Sequence, residues 1–420
     1  MKSLWIVNKC CGALHQKVYG KKATGGQWLD AMLEEAKTVS DDSIVVVNIE
    51  KNPKLDYFED GNVTYYTLKG ESNEKYNYKS QKSVNDWRRI IEKEKPDILE
   101  FWGTEFPYAL AAMNAAPNLP AIINVQGILD SIAKYYISGL TEKELKQAVT
   151  FRDVLTKSTI KQTQRNYEHR AEYECEIVKR AGHIIIESEW AEVYHKKMNS
   201  NVKTYFLPIS ISNSFREHTW NEETMKPHTI MCPAANYPIK GFHMMLKALA
   251  IVKKKYPDVH LYVPGSILRE TKSIKGKIKE NGYERLIKKM IIQMELANNI
   301  TYTGRLTADE MAQKMSEVNC FAMTSAIENI STTLKEAMTV GTPCVASYVG
   351  GITEYATNGE NCLVYRYADY EMLANNICRL FEDKELRAKL SKNAVEYMHK
   401  PKTESDYEIM SNIFSKVINS

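Results

Sequence analysis

No stretch of the 420 residues approaches the roughly 20 consecutive apolar residues that a membrane-crossing helix needs. The apolar N-terminal run SLWIV is broken by Asn8 and Lys9 before it reaches the length of a signal-peptide core. Charge of one sign is also missing. The formal net charge is +4, and residues 1–210 carry 29 Lys plus Arg against 28 Asp plus Glu, so no basic face points to nucleic acid. The eight cysteines form no Cys-x-x-Cys and no Cys/His spacing suited to zinc, which argues against a structural metal. Cys320 and Cys344 sit in apolar runs, where free cysteine behaves as a small hydrophobe, and a reducing compartment fits. Neither a Gly-x-Gly-x-x-Gly turn nor an Asp-x-Asp pair near a strand end is found, so neither NAD nor an obligatory metal is expected. The expectation is a cytoplasmic protein, soluble or peripheral at the inner face of the membrane.

What is present is alternation. Short β-rich runs alternate with longer helical patterns, the mark of stacked βαβ units and parallel sheets. Strands are expected at Leu4–Val7, Ile44–Asn48, Ile98–Phe101, Ile122–Val125 and His183–Ile186, then at Thr229–Cys232, His260–Val263, Ile300–Thr303, Cys320–Met323 and Cys344–Ala346. Two similar α/β halves follow, with a polar, irregular boundary between Leu207 and His228. At about 150 residues per domain, the length accommodates both. Residues 131–180 are helical and charge-rich and are assigned to the first half as an excursion from it, with a solvent-facing helical hairpin as the equal alternative.

The most informative segment is AIENISTTLKEAMTVGTPCVASYVG, from Ala326 to Gly350. It reads as a turn, a helix stopped at Gly341 and Pro343, and a strand, entered from the apolar run Val318–Ser325. A helix start at the carboxyl end of a parallel sheet offers unpaired N–H groups and a partial positive charge to phosphate. Glu328 and Glu336 flank it. Eight helical positions advance about 12 Å and rotate about 80°. Two carboxylates so spaced can hold opposite ends of one elongated ligand.

With its flanks, this segment resembles the Glu-x7-Glu region of retaining GT-B glycosyltransferases of glycosyltransferase family 4. The resemblance implies a GT-B fold, two Rossmann-like parallel-sheet domains facing across a cleft. It divides the chain into an acceptor-binding domain at 1–210, a nucleotide-sugar-binding domain at 211–400 and a helix at 401–420 that crosses back to the first domain. It further implies that Glu328 faces the donor sugar, that the backbone of Asn329, Ile330, Ser331, Thr332 and Thr333 holds the diphosphate, and that Glu336 binds the ribose.

Other segments fit the same family. In AANYPIKGFHMM, Lys240 stands at a helix threshold, where a cation works against the dipole unless an anion lies between them. The family has Arg, then Lys-Gly five residues later; Lys240 and Gly241 match, whereas the Arg position is Ala235. Gly25 and Gly26 fall where the family has its first glycine-rich loop, and Gly304 and Arg305 where it has a loop near the nucleotide base. Val349–Val364 carries the family's Gly-Gly-x-x-Glu pattern, with Glu354 a simple helix cap on the alternative reading. After PAIINV the family often has His-Gly, but this chain has Gln126-Gly127, and glutamine orients hydroxyls without carrying a proton at neutral pH. Trp102, Thr104 and Glu105, at another strand end, read as core aromatic and loop polar residues.

The expected activity is therefore retaining, metal-independent transfer of a hexosyl or N-acetylhexosaminyl unit, with Lys240 and Glu328 as the catalytic residues. The donor is a nucleotide sugar, a UDP-sugar ahead of a GDP-sugar, with no further cofactor. The acceptor is a glycan, a lipid-linked sugar or a protein. Ala235 and Gln126 also admit a non-catalytic GT-B subunit that binds glycan or supports a partner glycosyltransferase. A nucleotide-sugar epimerase is the third reading.

Overall fold

The computed structural model describes residues 1–8, 12–20, 27–50, 53–70, 76–208, 211–265, 279–401 and 403–420. The chain divides into two compact units, Met1–Leu129 with His169–Ser210 and Lys402–Ser420, and Asp130–Glu168 with Ile211–Pro401.

The first unit is built on eight strands: β1 (Lys2–Val7), β2 (Ser43–Glu50), β3 (Tyr57–Asp60), β4 (Val63–Lys69), β5 (Ile98–Trp102), β6 (Ala121–Asn124), β7 (His183–Ile186) and β8 (Lys203–Phe206). Their order is β3-β4-β2-β1-β5-β6-β7-β8. Every pairing is parallel except the β3–β4 hairpin, which turns at Gly61-Asn62, with Gly61 at a φ of 63°. Inner strands such as SIVVVNIE are apolar at consecutive positions because helices cover both faces. The C-terminal helix Asp406–Ile418 lies in this unit. Its Tyr407 and Ser411 hydroxyls donate to Asp42 at 3.1 and 2.9 Å, and its buried Tyr407, Met410 and Phe414 join the core of one sheet face. β5 also buries Glu100 completely, and that burial pushes its carboxyl up to about 8.

The second unit carries six parallel strands: β9 (Lys226–Met231), β10 (His260–Pro264), β11 (Ile300–Gly304), β12 (Val318–Met323), β13 (Cys344–Ser347) and β14 (Leu363–Tyr365). Their order is β11-β10-β9-β12-β13-β14. This is the doubly wound 3-2-1-4-5-6 arrangement, whose direction of winding reverses between β9 and β12. Ligands of such sheets bind at the carboxyl ends of the strands flanking that reversal. The connecting segment before β9 docks through Phe215 and Trp220, and the Trp220 indole N–H donates to the Val318 carbonyl at 2.8 Å.

All ten expected strands are present, and β3, β4, β8 and β14 are additional. The assignment of the 131–180 helices differs from the sequence reading. Residues 130–168 belong with the second unit. A buried His243 on the helix Phe242–Lys255 bonds to the Ser138 carbonyl at 2.8 Å, Tyr367 donates to the same carbonyl at 2.7 Å, and Lys247 pairs with Glu144 at 2.8 Å. Such contacts span 100 or more residues of sequence, and a local helical pattern does not encode them.

Candidate functional site

The carboxyl ends of β9 and β12 are joined by a tight backbone crossing. After β9, Pro238–Lys240 forms one 3-10 turn that ends at Gly241, with φ at 67°. A Cβ on Gly241 would lie 1.7 Å from the Thr324 carbonyl oxygen. Only glycine fits there, for its φ as well as for space. Two further bonds fasten the crossing: Ala326 N–H donates to the Ile239 carbonyl at 2.7 Å, and the Thr324 hydroxyl donates to the Lys240 carbonyl at 3.0 Å. The turn after β9 is thus pinned against the turn after β12.

The consequence is that Lys240 and Glu328, 88 residues apart, meet at 2.7 Å. The Lys240 side chain is 37% exposed and that of Glu328 12%, so the lysine is the partner free to turn towards an incoming anion. Burial works against the ammonium, but the Glu328 charge outweighs it and the Lys240 pKa is raised. The lysine is a cation at neutral pH.

Glu328 is held from behind. A Cβ on Gly350, at a φ of 54°, would lie 1.8 Å from the Glu328 carbonyl oxygen, and Gly351 N–H donates to the Glu328 and Asn329 carbonyls at 3.2 and 3.1 Å. This accounts for the Gly-Gly pair after β13. Glu354 ends the 3-10 segment Gly350–Glu354.

The helix Thr332–Val340 starts directly beyond Asn329 and Ile330. Ser331 is its N-cap, accepting from Leu334 N–H at 3.4 Å, while its carbonyl accepts from the Tyr355 hydroxyl at 3.3 Å. Buried Asn329 has a side-chain oxygen, Oδ1, with no hydrogen-bond partner among the described residues. One turn on, Glu336 is half-buried, and among the described residues no partner for its carboxylate is seen. Burial pushes its pKa up to about 7. A lysine, two carboxylates, an unmatched amide oxygen and a helix N-terminus therefore line one end of this sheet. That set can take up an anion at the helix start and hydroxyl groups on either side of it.

The remaining sequence candidates lie elsewhere. Arg305 is exposed beyond β11, the outermost strand, two places from β9. Gln126 is half-exposed after β6, in the first unit. Gly25 and Gly26 lie outside the described residues. Trp102 and Thr104 are buried, with the Thr104 hydroxyl donating to Glu174 at 2.8 Å, and Arg170 grips the Glu105 carbonyl at 2.7 and 3.0 Å; these residues brace the strand end. Thr307 caps the helix Ala308–Glu317 through a capping box with Glu310. Sequence reasoning missed Tyr237, which is 39% exposed, whose pKa is raised by partial desolvation and which feels the charges of both Lys240 and Glu328. Its position beside the Lys-Gly turn was the available signal. Thr324 left none, since nothing in the sequence connects it to residue 240.

Residues 214–397 match the family "Glycosyl transferases group 1". Among curated proteins, the D-inositol 3-phosphate glycosyltransferase of Corynebacterium urealyticum is 24% identical over 38% of this chain and 36% of its own length. The lipopolysaccharide core biosynthesis glycosyltransferase LpsE of Rhizobium meliloti is 25% identical over 37% of this chain and 40% of its own. The matched stretches thus span well under half of these relatives. Among solved structures, the sucrose-phosphate synthase of Thermosynechococcus elongatus aligns with a TM-score of 0.75 at 17% identity, covering 100% of this chain and 99% of its own. Anabaena HepE, in complex with UDP and glucose, aligns with a TM-score of 0.65 at 17% identity over 100% of both chains. The fold is GT-B, two Rossmann-like parallel-sheet domains.

Proposed function

We propose that this protein is a retaining, metal-independent glycosyltransferase that moves a hexosyl or N-acetylhexosaminyl unit from a nucleotide-diphosphate sugar to an acceptor hydroxyl in glycan or glycoconjugate synthesis. The observation that carries the reading is the Lys240–Glu328 pair at 2.7 Å, seated at the sheet reversal beside the start of the helix Thr332–Val340. The match of residues 214–397 to group 1 glycosyl transferases and the UDP and glucose in the HepE complex support it.

In this reading the donor diphosphate docks on the amides of residues 329–333, Lys240 turns from Glu328 to the phosphate oxygens, and Glu336 accepts hydrogen bonds from the ribose hydroxyls. Glu328, released from the lysine, faces the donor sugar. As the glycosidic bond breaks, negative charge grows on the leaving diphosphate. A fixed ammonium and aligned amides stabilise that charge more than they stabilise the ground state, which is the source of rate. The leaving oxygen takes the acceptor proton on the same face, so the anomeric configuration is retained. The donor is a UDP-sugar ahead of a GDP-sugar.

A panel of UDP-, GDP- and ADP-sugars tests the reading by thermal shift and by product formation, for wild type and Glu328→Ala. Wild type is stabilised by one nucleotide class and forms glycoside with the donor's anomeric configuration, read from the proton coupling at C1, while the variant does not. Wild type indifferent to every nucleotide removes the proposal, and nucleotide binding with an isomerised donor and no acceptor product makes the protein an epimerase.

A further inference from the structure

The second unit contains a cavity of about 270 Å³ that none of the donor contacts uses. Its walls come from two directions. Residues 136–163, the helical excursion, supply Tyr136, Arg152, Ser158 and Thr163, the turn after β9 supplies Asn236 and Tyr237, and the first turn of the helix Gly282–Gln293 supplies Tyr283. The two walls are locked together. A Cβ on Gly282 would lie 1.9 Å from the Ala148 carbonyl oxygen, Arg285 donates to the Val149 carbonyl at 3.2 Å, and His243 bonds to the Ser138 carbonyl at 2.8 Å. The cavity is therefore a built feature of this unit.

Its chemistry is specific. Arg152, the one cation of the lining, lies 3.5 Å from buried Asp153, the one anion, so the lining carries no net charge. Asn281 is spent on the helix cap and on the Asn236 carbonyl, and Tyr283 on His243. Arg152 keeps most of its donors, and no partner is seen for the Tyr237 hydroxyl among the described residues. Aromatic ring faces carry negative charge density and attract the weakly positive C–H face of a pyranose, while hydroxyl groups pair with guanidinium and phenol at the edges. A volume near the lower end of the roughly 300–1,000 Å³ range of small-molecule pockets suits one ring. A phosphorylated ligand would require an unpaired cation, and Arg152 is already balanced.

We propose that this cavity is a subsite for one neutral sugar ring, and that the ring belongs to the acceptor glycan. The second clause rests on the glycosyltransferase reading; the first does not. Tyr237 and Pro238 form the cavity wall, and Pro238 begins the single turn that ends at Lys240. A 3-10 turn rises about 2 Å per residue, so the bound ring lies within about a sugar's length of the catalytic pair.

Saturation-transfer NMR on the whole chain tests this with methyl α-D-glucopyranoside, methyl α-D-mannopyranoside, N-acetylglucosamine and glucose 6-phosphate as probes. At about 10 mM, suited to weak millimolar affinity, at least one neutral probe receives saturation. Ser158→Phe, which fills the cavity, abolishes the signal, and the surface change Arg152→Gln weakens affinity about tenfold, with circular dichroism melting as the check on folding. Transfer to no neutral probe, transfer that survives Ser158→Phe and Arg152→Gln, or transfer to glucose 6-phosphate alone overturns the subsite. Neutral-sugar binding by a protein that ignores all nucleotides leaves the subsite standing and removes only the glycosyltransferase reading.

Discussion

Lys240 Nζ lies 2.7 Å from Glu328 Oε1, and the contact exists because Gly241 lets one backbone turn press against the Thr324 carbonyl. In the ligand-free chain Glu328 is therefore the intramolecular competitor of any diphosphate that needs the lysine. Removing each partner should have opposite effects on binding. Lys240→Met lowers kcat/KM for the nucleotide sugar about 10²–10³-fold and weakens UDP binding, because the leaving group loses its cation. Glu328→Gln frees the lysine and tightens UDP, while transfer slows because the sugar loses its contact. Calorimetry with UDP beside single-turnover rates separates the two, and equal weakening of UDP by both variants contradicts the competition.

The glycines that shape the pair are a second handle. Gly241→Ala and Gly350→Ala each force a Cβ to within 2 Å of a carbonyl oxygen, at a φ of 67° and 54°. The positive φ alone costs roughly 1–2 kcal/mol for a residue with a Cβ, and the clash adds to it. Both variants should melt several degrees lower and lose nucleotide binding, whereas Gly359→Ala, at a φ of 73° with open space around it, should melt lower by less and keep its ligand. Melting curves recorded with and without UDP measure both effects.

Glu336 gives a pH signature. Its carboxyl is raised by burial from 4.5 to about 7, so the native state holds a proton that the unfolded chain releases. The sign follows: this contribution to stability is complete below about pH 4.5 and is lost as pH rises through about 7. Its size is at most about 3.5 kcal/mol, from roughly 1.4 kcal/mol per unit. Glu336→Gln should flatten the fall in stability between about pH 4.5 and 7. Binding should move the other way, since the ionised carboxylate is the stronger acceptor for ribose hydroxyls. UDP-glucose affinity is expected to rise from pH 6 to 8 in wild type and to stay level in the variant, as titration calorimetry at each pH would record.

The candidate site was legible because its pieces are local and each leaves a chemical trace. A helix start between apolar strands, acids eight positions apart and a lysine before Gly241 are visible without knowledge of the fold. The brace of Gly350 against Glu328 is only half visible, since the Gly-Gly pair can be read but not what it touches. The hairpin β3–β4 left a signal, Asp60-Gly61 between β-rich runs, that the sequence reading did not use, whereas the three-residue β14 and the largely exposed β8 carry little pattern. The destination of residues 130–168 is of another kind. Their amphipathic helices are satisfied by any apolar face, and the choice of the second unit rests on single long-range bonds.

The most telling of those bonds is that of His243. It is buried among Tyr283 and the Ser138 carbonyl, and burial lowers its pKa from 6.5 to about 4, so at neutral pH the imidazole is uncharged. Nε2–H donates to the carbonyl, which leaves Nδ1 to accept from the Tyr283 hydroxyl. Lys247 lowers the pKa further and Glu144, the ion-pair partner of Lys247, opposes it. Because the folded pKa is depressed, the stability this residue contributes is present above about pH 6.5 and lost as pH falls through about 4. His243→Ala leaves the tyrosine and the carbonyl without their partner, at a cost of about 1–3 kcal/mol. His243→Gln can still donate an amide N–H to Ser138 and does not titrate, so it should keep most of the stability and flatten the acid limb. If His243 is the clasp that fastens the excursion, hydrogen exchange of residues 136–148 will quicken in the alanine variant and not in the glutamine variant, while exchange in β1 and β5 of the first unit stays unchanged. Equal acceleration throughout the chain would instead make His243 a general core residue.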